Sequence, residues 1–160
     1  MKNPFTQDSP LVLVIDDEQE MLDRVAAVLV SANIACRCCT RPDEAFAIAV
    51  EALPDLILCD LNLFGESGPE VCEQIKRQPG LEAVPVMFLS AAQMPDIIRR
   101  SHGSTSTYCI RKPFAPNVLL GLIDTAIRSQ QETASETAQR ASPRAPLETS
   151  PLMALDTLRV

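Results

Sequence analysis

The amino-acid sequence predicts an α/β fold: a doubly wound, five-stranded parallel sheet with five helices on its two faces. Three observations carry that expectation. Short apolar runs alternate with segments of helical period five times along the chain, and such βαβ alternation puts helices on both sides of a parallel sheet because the crossovers are right-handed. The runs are almost continuously apolar, as strands buried on both faces are. Several of them stop abruptly at a charged or hydroxyl residue, on the strand end where ligands sit in sheets of this kind.

The elements follow in order. After a polar lead over residues 1–9, the run Leu11-Val12-Leu13-Val14-Ile15 reads as a first strand that stops at Asp16-Asp17-Glu18. Met21, Leu22, Val25, Val28 and Leu29 then recur at helical spacing, with acids in the first turn facing the positive end of the dipole. Residues 34–39 suit an edge strand, and Pro42 opens a helix expected to turn Ala45, Phe46, Ile48 and Ala49 inward until Pro54 breaks it. Leu56-Ile57-Leu58-Cys59 delivers Asp60 to the end of a third strand. The loop Phe64-Gly65-Glu66-Ser67-Gly68 leads to a helix from about 69 to 78. Residues 85–89 form a fourth strand ending at Ser90, and a weaker helix is expected near 94–101, with Pro95 in its first turn. Residues 107–111 form the last strand, closed by Lys112-Pro113, and Pro116 opens a final helix with Val118, Leu119, Leu122, Ile123 and Ile127 on one side.

Beyond residue 130 the composition turns to Ser, Thr, Ala and Pro without apolar periodicity, so residues 131–160 are expected to be a disordered tail or linker. Its end, 152–160, becomes apolar again, which suits a docking peptide, the first turn of a further domain, or an end with no role. Residues 10–130 are the expected folded domain.

Composition narrows the function. A net charge of -7 argues against broad nucleic-acid or anionic-membrane binding, which rely on clustered Lys and Arg. No apolar run approaches membrane-spanning length, and the first residues lack the apolar core of a signal peptide, so a cytoplasmic chain is expected. The six cysteines lie inside apolar segments and read as reduced, small hydrophobes. Cys36, Cys38 and Cys39 have poor metal-site spacing, and His102, the only histidine, reads as a solvated helix-end residue.

A parallel sheet places its strand ends on one rim, so Asp16, Asp17, Asp60, Ser90 and Lys112 are expected together. Three adjacent carboxylates repel unless a cation joins them, and oxygen ligands without His or Cys favour Mg²⁺. Mg²⁺ commonly bridges carboxylates to a phosphoryl oxygen; Lys112 and Ser90 can contact the same group, and Asp60 can attack phosphorus to form an acyl phosphate. As helix caps alone, Asp17 and Glu18 have a plainer explanation.

These residues resemble the receiver domains of two-component response regulators over about 10–130. The resemblance rests on Asp16-Asp17 after strand one, Asp60 in DLNLFGESG, Ser90-Ala91 after strand four, and Lys112-Pro113-Phe114 after strand five. It implies the flavodoxin-like strand order 2-1-3-4-5. It further implies that a histidine kinase or phosphotransfer protein supplies a phosphoryl group from phosphohistidine to Asp60. Asp17, Asp60 and the backbone carbonyl of Asn62 would hold Mg²⁺, with Asp16 acting directly or through a water, while Ser90 and Lys112 contact the phosphoryl oxygens. The resulting movement would change the face made by the fourth helix, last strand and final helix, where a downstream protein target or a second copy of the chain would bind. Such a domain is not an enzyme in the usual sense, since it catalyses only its own phosphorylation and dephosphorylation.

Two departures stand out. Phe64 occupies a position usually held by proline and is expected to alter the loop without touching a ligand. The switch aromatic expected three residues before the lysine is Cys109, with Tyr108 one residue earlier; only a local bulge would re-aim Tyr108 toward Ser90. A phosphatase with an Asp nucleophile is the competing class, but it would need a second acid where Asn62 stands and a substrate cap. A scaffold that is never phosphorylated is the third reading, weakened by the intact acids and Lys112.

Overall fold

The structure, a computed structural model, describes residues 9–91 and 107–141. Its five main strands are β1 (Leu11–Ile15), β2 (Ala35–Cys39), β3 (Leu56–Asp60), β6 (Val86–Ser90) and β7 (Thr107–Arg111). All pair in parallel in the order β2-β1-β3-β6-β7, which is the expected 2-1-3-4-5 arrangement with β2 at one edge. A two-residue pair, β4 (Asn62–Leu63) and β5 (Glu66–Ser67), forms an antiparallel hairpin directly after β3. The helices are α1 (Gln19–Ser31), α2 (Pro42–Ala52), α3 (Gly68–Lys76) and α4 (Pro116–Ala141). The helix expected near 94–101, with Pro95, and His102 lie outside the described residues.

Period-2 alternation divides the core into two layers. Leu13, Ile15, Ile57, Cys59 and Phe88 face one side with Ala45, Ile48 and Ala49 of α2 and Val71, Cys72 and Ile75 of α3. Val12, Val14, Leu56, Leu58, Met87 and Leu89 face the other with Leu22, Val25 and Leu29 of α1 and Leu119, Ile123 and Ala126 of α4. Leu56 to Cys59 are wholly buried, so the strand leading to Asp60 is held from both faces. Among the described residues, no helix is long and apolar enough to cross a membrane.

Local chemistry sets the helix ends. After α1, Asn33 takes a left-handed φ of 57° and Ile34 N–H bonds back to Leu29 O, the wrapped ending that satisfies orphan carbonyls. Pro42 sits in the first turn of α2, and Leu53, also left-handed, ends it before Pro54. Ser67 caps α3 through its side chain, which accepts from Glu70 N–H.

Three expectations change. Phe46 is 38% exposed, because Ala45, Ile48 and Ala49 already fill the inner stripe of α2 and Phe46 lies a quarter-turn round from them. Val118 is exposed for the same reason beside Leu119. More substantially, α4 continues to Ala141, past residue 130, where a disordered stretch is expected from composition. Residues 131–140 are all exposed, so no apolar stripe is required of them. Thr133, Ser135 and Thr137 donate their hydroxyls to the carbonyls of Ser129, Gln131 and Thr133, four residues back, and the helix propagates from a nucleus already formed.

Candidate functional site

Parallel strands carry their carboxyl ends to one rim, and the chain places its polar residues there. Asp16 follows β1, Asp60 ends β3, Ser90 ends β6 and Lys112 follows β7. Among the described residues, Asp16 (0% exposed) and Ser90 (2%) are the buried polar side chains, set against a rim that is otherwise apolar just below. Burying them is costly without partners. The main chain supplies one anchor: Lys112 N–H donates to Ser90 O at 2.7 Å, fastening the exit of β7 to the end of β6.

The Lys112 ammonium then joins two strands. Its Nζ donates to Asp16 Oδ2 at 2.8 Å and to Asp60 Oδ2 at 3.0 Å. Burial pushes the lysine pKa down, but the two carboxylates outweigh it and hold the ammonium above its ordinary value. The remaining oxygens are also engaged. Asp16 Oδ1 accepts from Glu18 N–H at 3.0 Å, Asp60 Oδ1 lies 3.4 Å from Asn62 N–H, and Asp17 Oδ2 accepts from Phe64 N–H at 3.2 Å. No buried side-chain nitrogen or oxygen among the described residues lacks a partner.

Capping does not account for the acids. Glu18 stands at the N-cap of α1 without a side-chain capping bond, and the Asp17 carboxylate reaches across to the hairpin after β3. One carboxylate oxygen from each of Asp16, Asp17 and Glu18 lies within 4.8 Å of the other two. An oxygen-only donor set of this kind fits a hard divalent ion such as Mg²⁺ and lacks the His and Cys ligands that zinc and copper sites favour. Of the residues expected to hold the ion, Asp16 and Asp17 fall in that group and Asp60 shares the lysine with Asp16. Asn62 opens the hairpin, and its side-chain Oδ1 accepts from Gly65 N–H at 3.0 Å. Glu18, a helix-cap residue by position, is a carboxylate of this group, and the unbroken Asp16-Asp17-Glu18 run is its signal in the sequence.

Phe64 reaches the rim through its main chain, its amide bonding Asp17 Oδ2. Tyr108 keeps the strand face that its position gives it. The β6–β7 ladder runs unbroken from Val86↔Thr107 to Ser90↔Arg111, so no bulge re-aims it. Tyr108 packs in the layer of α1 and α4, whereas Cys109 packs in the opposite layer beside Phe88, the face that Ser90 shares by parity. A one-residue step along a strand reverses the face.

All six cysteines are free thiols. Burial pushes Cys38 and Cys39 each up to about 12, so they remain protonated.

Comparison with known proteins agrees with this geometry. Residues 12–124 match the family described as the response regulator receiver domain, and the chain belongs to that family. It is 30% identical over 117 residues to the phosphate regulon transcriptional regulatory protein PhoB of Pseudomonas aeruginosa, covering 73% of this chain and 51% of that one. It is 32% identical over 123 residues to the transcriptional regulatory protein ResD of Bacillus subtilis, covering 76% and 50%. The chain thus spans about half the length of these curated relatives. In fold it is similar to the Vibrio cholerae chemotaxis protein CheY4, with a TM-score of 0.69 at 24% identity, covering 74% of this chain and 98% of that one. NtrX of Brucella abortus gives a TM-score of 0.72 at 25% identity, covering 86% and 31%.

Proposed function

We propose that this chain is a phospho-accepting receiver in which Asp60 takes a phosphoryl group from the phosphohistidine of a partner kinase or phosphotransfer protein. The observation that carries the reading is the Lys112 ammonium joining Asp16 and Asp60 beside an oxygen-only carboxylate group. In the transfer, an Asp60 carboxylate oxygen forms a bond to phosphorus as the phosphorus–nitrogen bond breaks, and the imidazole leaves with the electron pair and takes up a proton. The Asp60 side chain is 15% exposed, enough for a donor to reach it. Asp17, Asp60 and the Asn62 carbonyl would hold Mg²⁺, with Asp16 direct or through water; the ion supplies charge neutralisation between carboxylates and phosphoryl oxygens. Lys112 offers a point charge to those oxygens, and Ser90 a hydroxyl.

Phosphorylation would shift Lys112 and Ser90 toward the new group and so alter the surface around β7 and α4. The output is a change in protein contacts with a downstream target or a second copy of the chain. With a net charge of -7, direct nucleic-acid binding and membrane binding are not part of this reading, and the setting is the cytoplasm. The proposal is tested by incubating the protein with Mg²⁺ and a small phosphodonor. Wild type should take up label and Asp60→Ala none; equal labelling of both would move the acceptor elsewhere.

A further inference from the structure

The hairpin that follows Asp60 is an unusual piece of backbone. Its two turn residues, Phe64 and Gly65, have φ of 52° and 86°, the pair of positive values of a type I′ hairpin turn. Gly65 adopts this without strain, but a bulky aromatic residue does not. Phe64 is also 66% exposed, so its side chain gains little from packing in that conformation. What the conformation does achieve is directional. It turns the Phe64 N–H out of the hairpin and onto Asp17 Oδ2 at 3.2 Å, 47 residues away in the chain. The turn is held from inside by Gly65 N–H donating to Asn62 Oδ1 at 3.0 Å and by the pairing of Asn62 with Ser67 and Leu63 with Glu66. A proline at position 64 would carry no N–H and could not take a positive φ.

We infer that the β4–β5 hairpin is a clamp in which the Phe64 amide positions the Asp17 carboxylate for a divalent cation. The inference rests on the reading of Asp17 as an ion ligand. A single amide on one oxygen restrains rotation of the carboxylate and leaves its other lone pairs available beside Asp16 and Glu18. Hydrogen bonds behind a ligating carboxylate commonly alter metal affinity by about tenfold to a hundredfold. Phe64 is thus a positioning residue acting through its main chain, and the identity of its side chain is secondary.

The test is a Mg²⁺ titration of the full chain by calorimetry, paired with amide NMR. Phe64→Pro removes the N–H, cannot take the positive φ, and should weaken Mg²⁺ binding by about tenfold or more. Gly65→Val strains the turn and should weaken binding by about tenfold or more. Gly65→Asn, which accepts positive φ, should restore it. Gly65→Ala stands in should the valine variant fail to fold. In wild type the Phe64 amide resonance should shift with the same midpoint as the heat signal. Unchanged affinity in the valine and alanine variants, or a Phe64 resonance that stays still while Mg²⁺ binds, would overturn the clamp and leave the ion site standing. A wild-type protein that binds no Mg²⁺ would instead overturn the ion site itself.

Discussion

Lys112 shows how much rests on one side chain. Its ammonium is the counter-charge of a wholly buried Asp16 and of Asp60, with only 12% of its own side chain exposed. Removing one partner of such a pair leaves a buried charge uncompensated, which typically costs several kcal/mol. Lys112→Met is therefore expected to lose on the order of 3 kcal/mol of stability in urea unfolding at neutral pH. A variant as stable as wild type would show that the acids do not need the lysine. The pH dependence has a definite sign. The folded lysine titrates above its ordinary 10.5, so its contribution is complete below that value and disappears as pH rises through the higher folded one. The gap between wild type and Lys112→Met should stay constant from neutral pH up to 10.5 and close only above it.

At the scale of elements, the junction of β3, hairpin and α3 leaves no room for a side chain at Gly68. Gly68 N–H donates to Leu61 O at 2.9 Å, and a Cβ at Gly68 would overlap the Asp60 carbonyl and lie 3.2 Å from Cys59 Sγ. Backbone atoms cannot yield as a flexible side chain can. Gly68→Ala should cost about 2 kcal/mol by overpacking and should also slow phosphoryl uptake, because the displaced atoms belong to the acceptor residue. Unfolding and labelling measured on one preparation would check both; a variant indistinguishable from wild type would mean the helix start simply moves aside. The neighbouring hairpin follows the same logic, with main-chain geometry and not side-chain identity deciding which groups meet.

At the scale of the whole molecule, five parallel strands gather residues from positions 16 to 112 onto one edge, and the long α4 carries the chain away from it. We propose that the folded unit spans residues 10–130 and that the rest of α4 is an appendage, since residues 131–140 are exposed throughout. Truncation after Gln130 should leave labelling intact and change stability by no more than about 0.5 kcal/mol, the usual range for surface changes. Loss of labelling would make the extension part of the working domain.

Much of this architecture was legible in the residue order. Apolar runs such as Leu56-Ile57-Leu58-Cys59 announce buried strands, because a strand covered on both faces has no polar positions to spare, and their abrupt ends at Asp16, Asp60, Ser90 and Lys112 announce a shared rim. Periodicity reports burial only, which is why the solvated turns of α4 and the outward Phe46 escaped it. What required the tertiary structure were the relations carried by backbone: which face Tyr108 takes in an unbroken ladder, and the Phe64 amide turned onto Asp17. An N–H is common to every residue but proline, so its partner is a matter of dihedral angles and distance, and these exist only once the chain has folded.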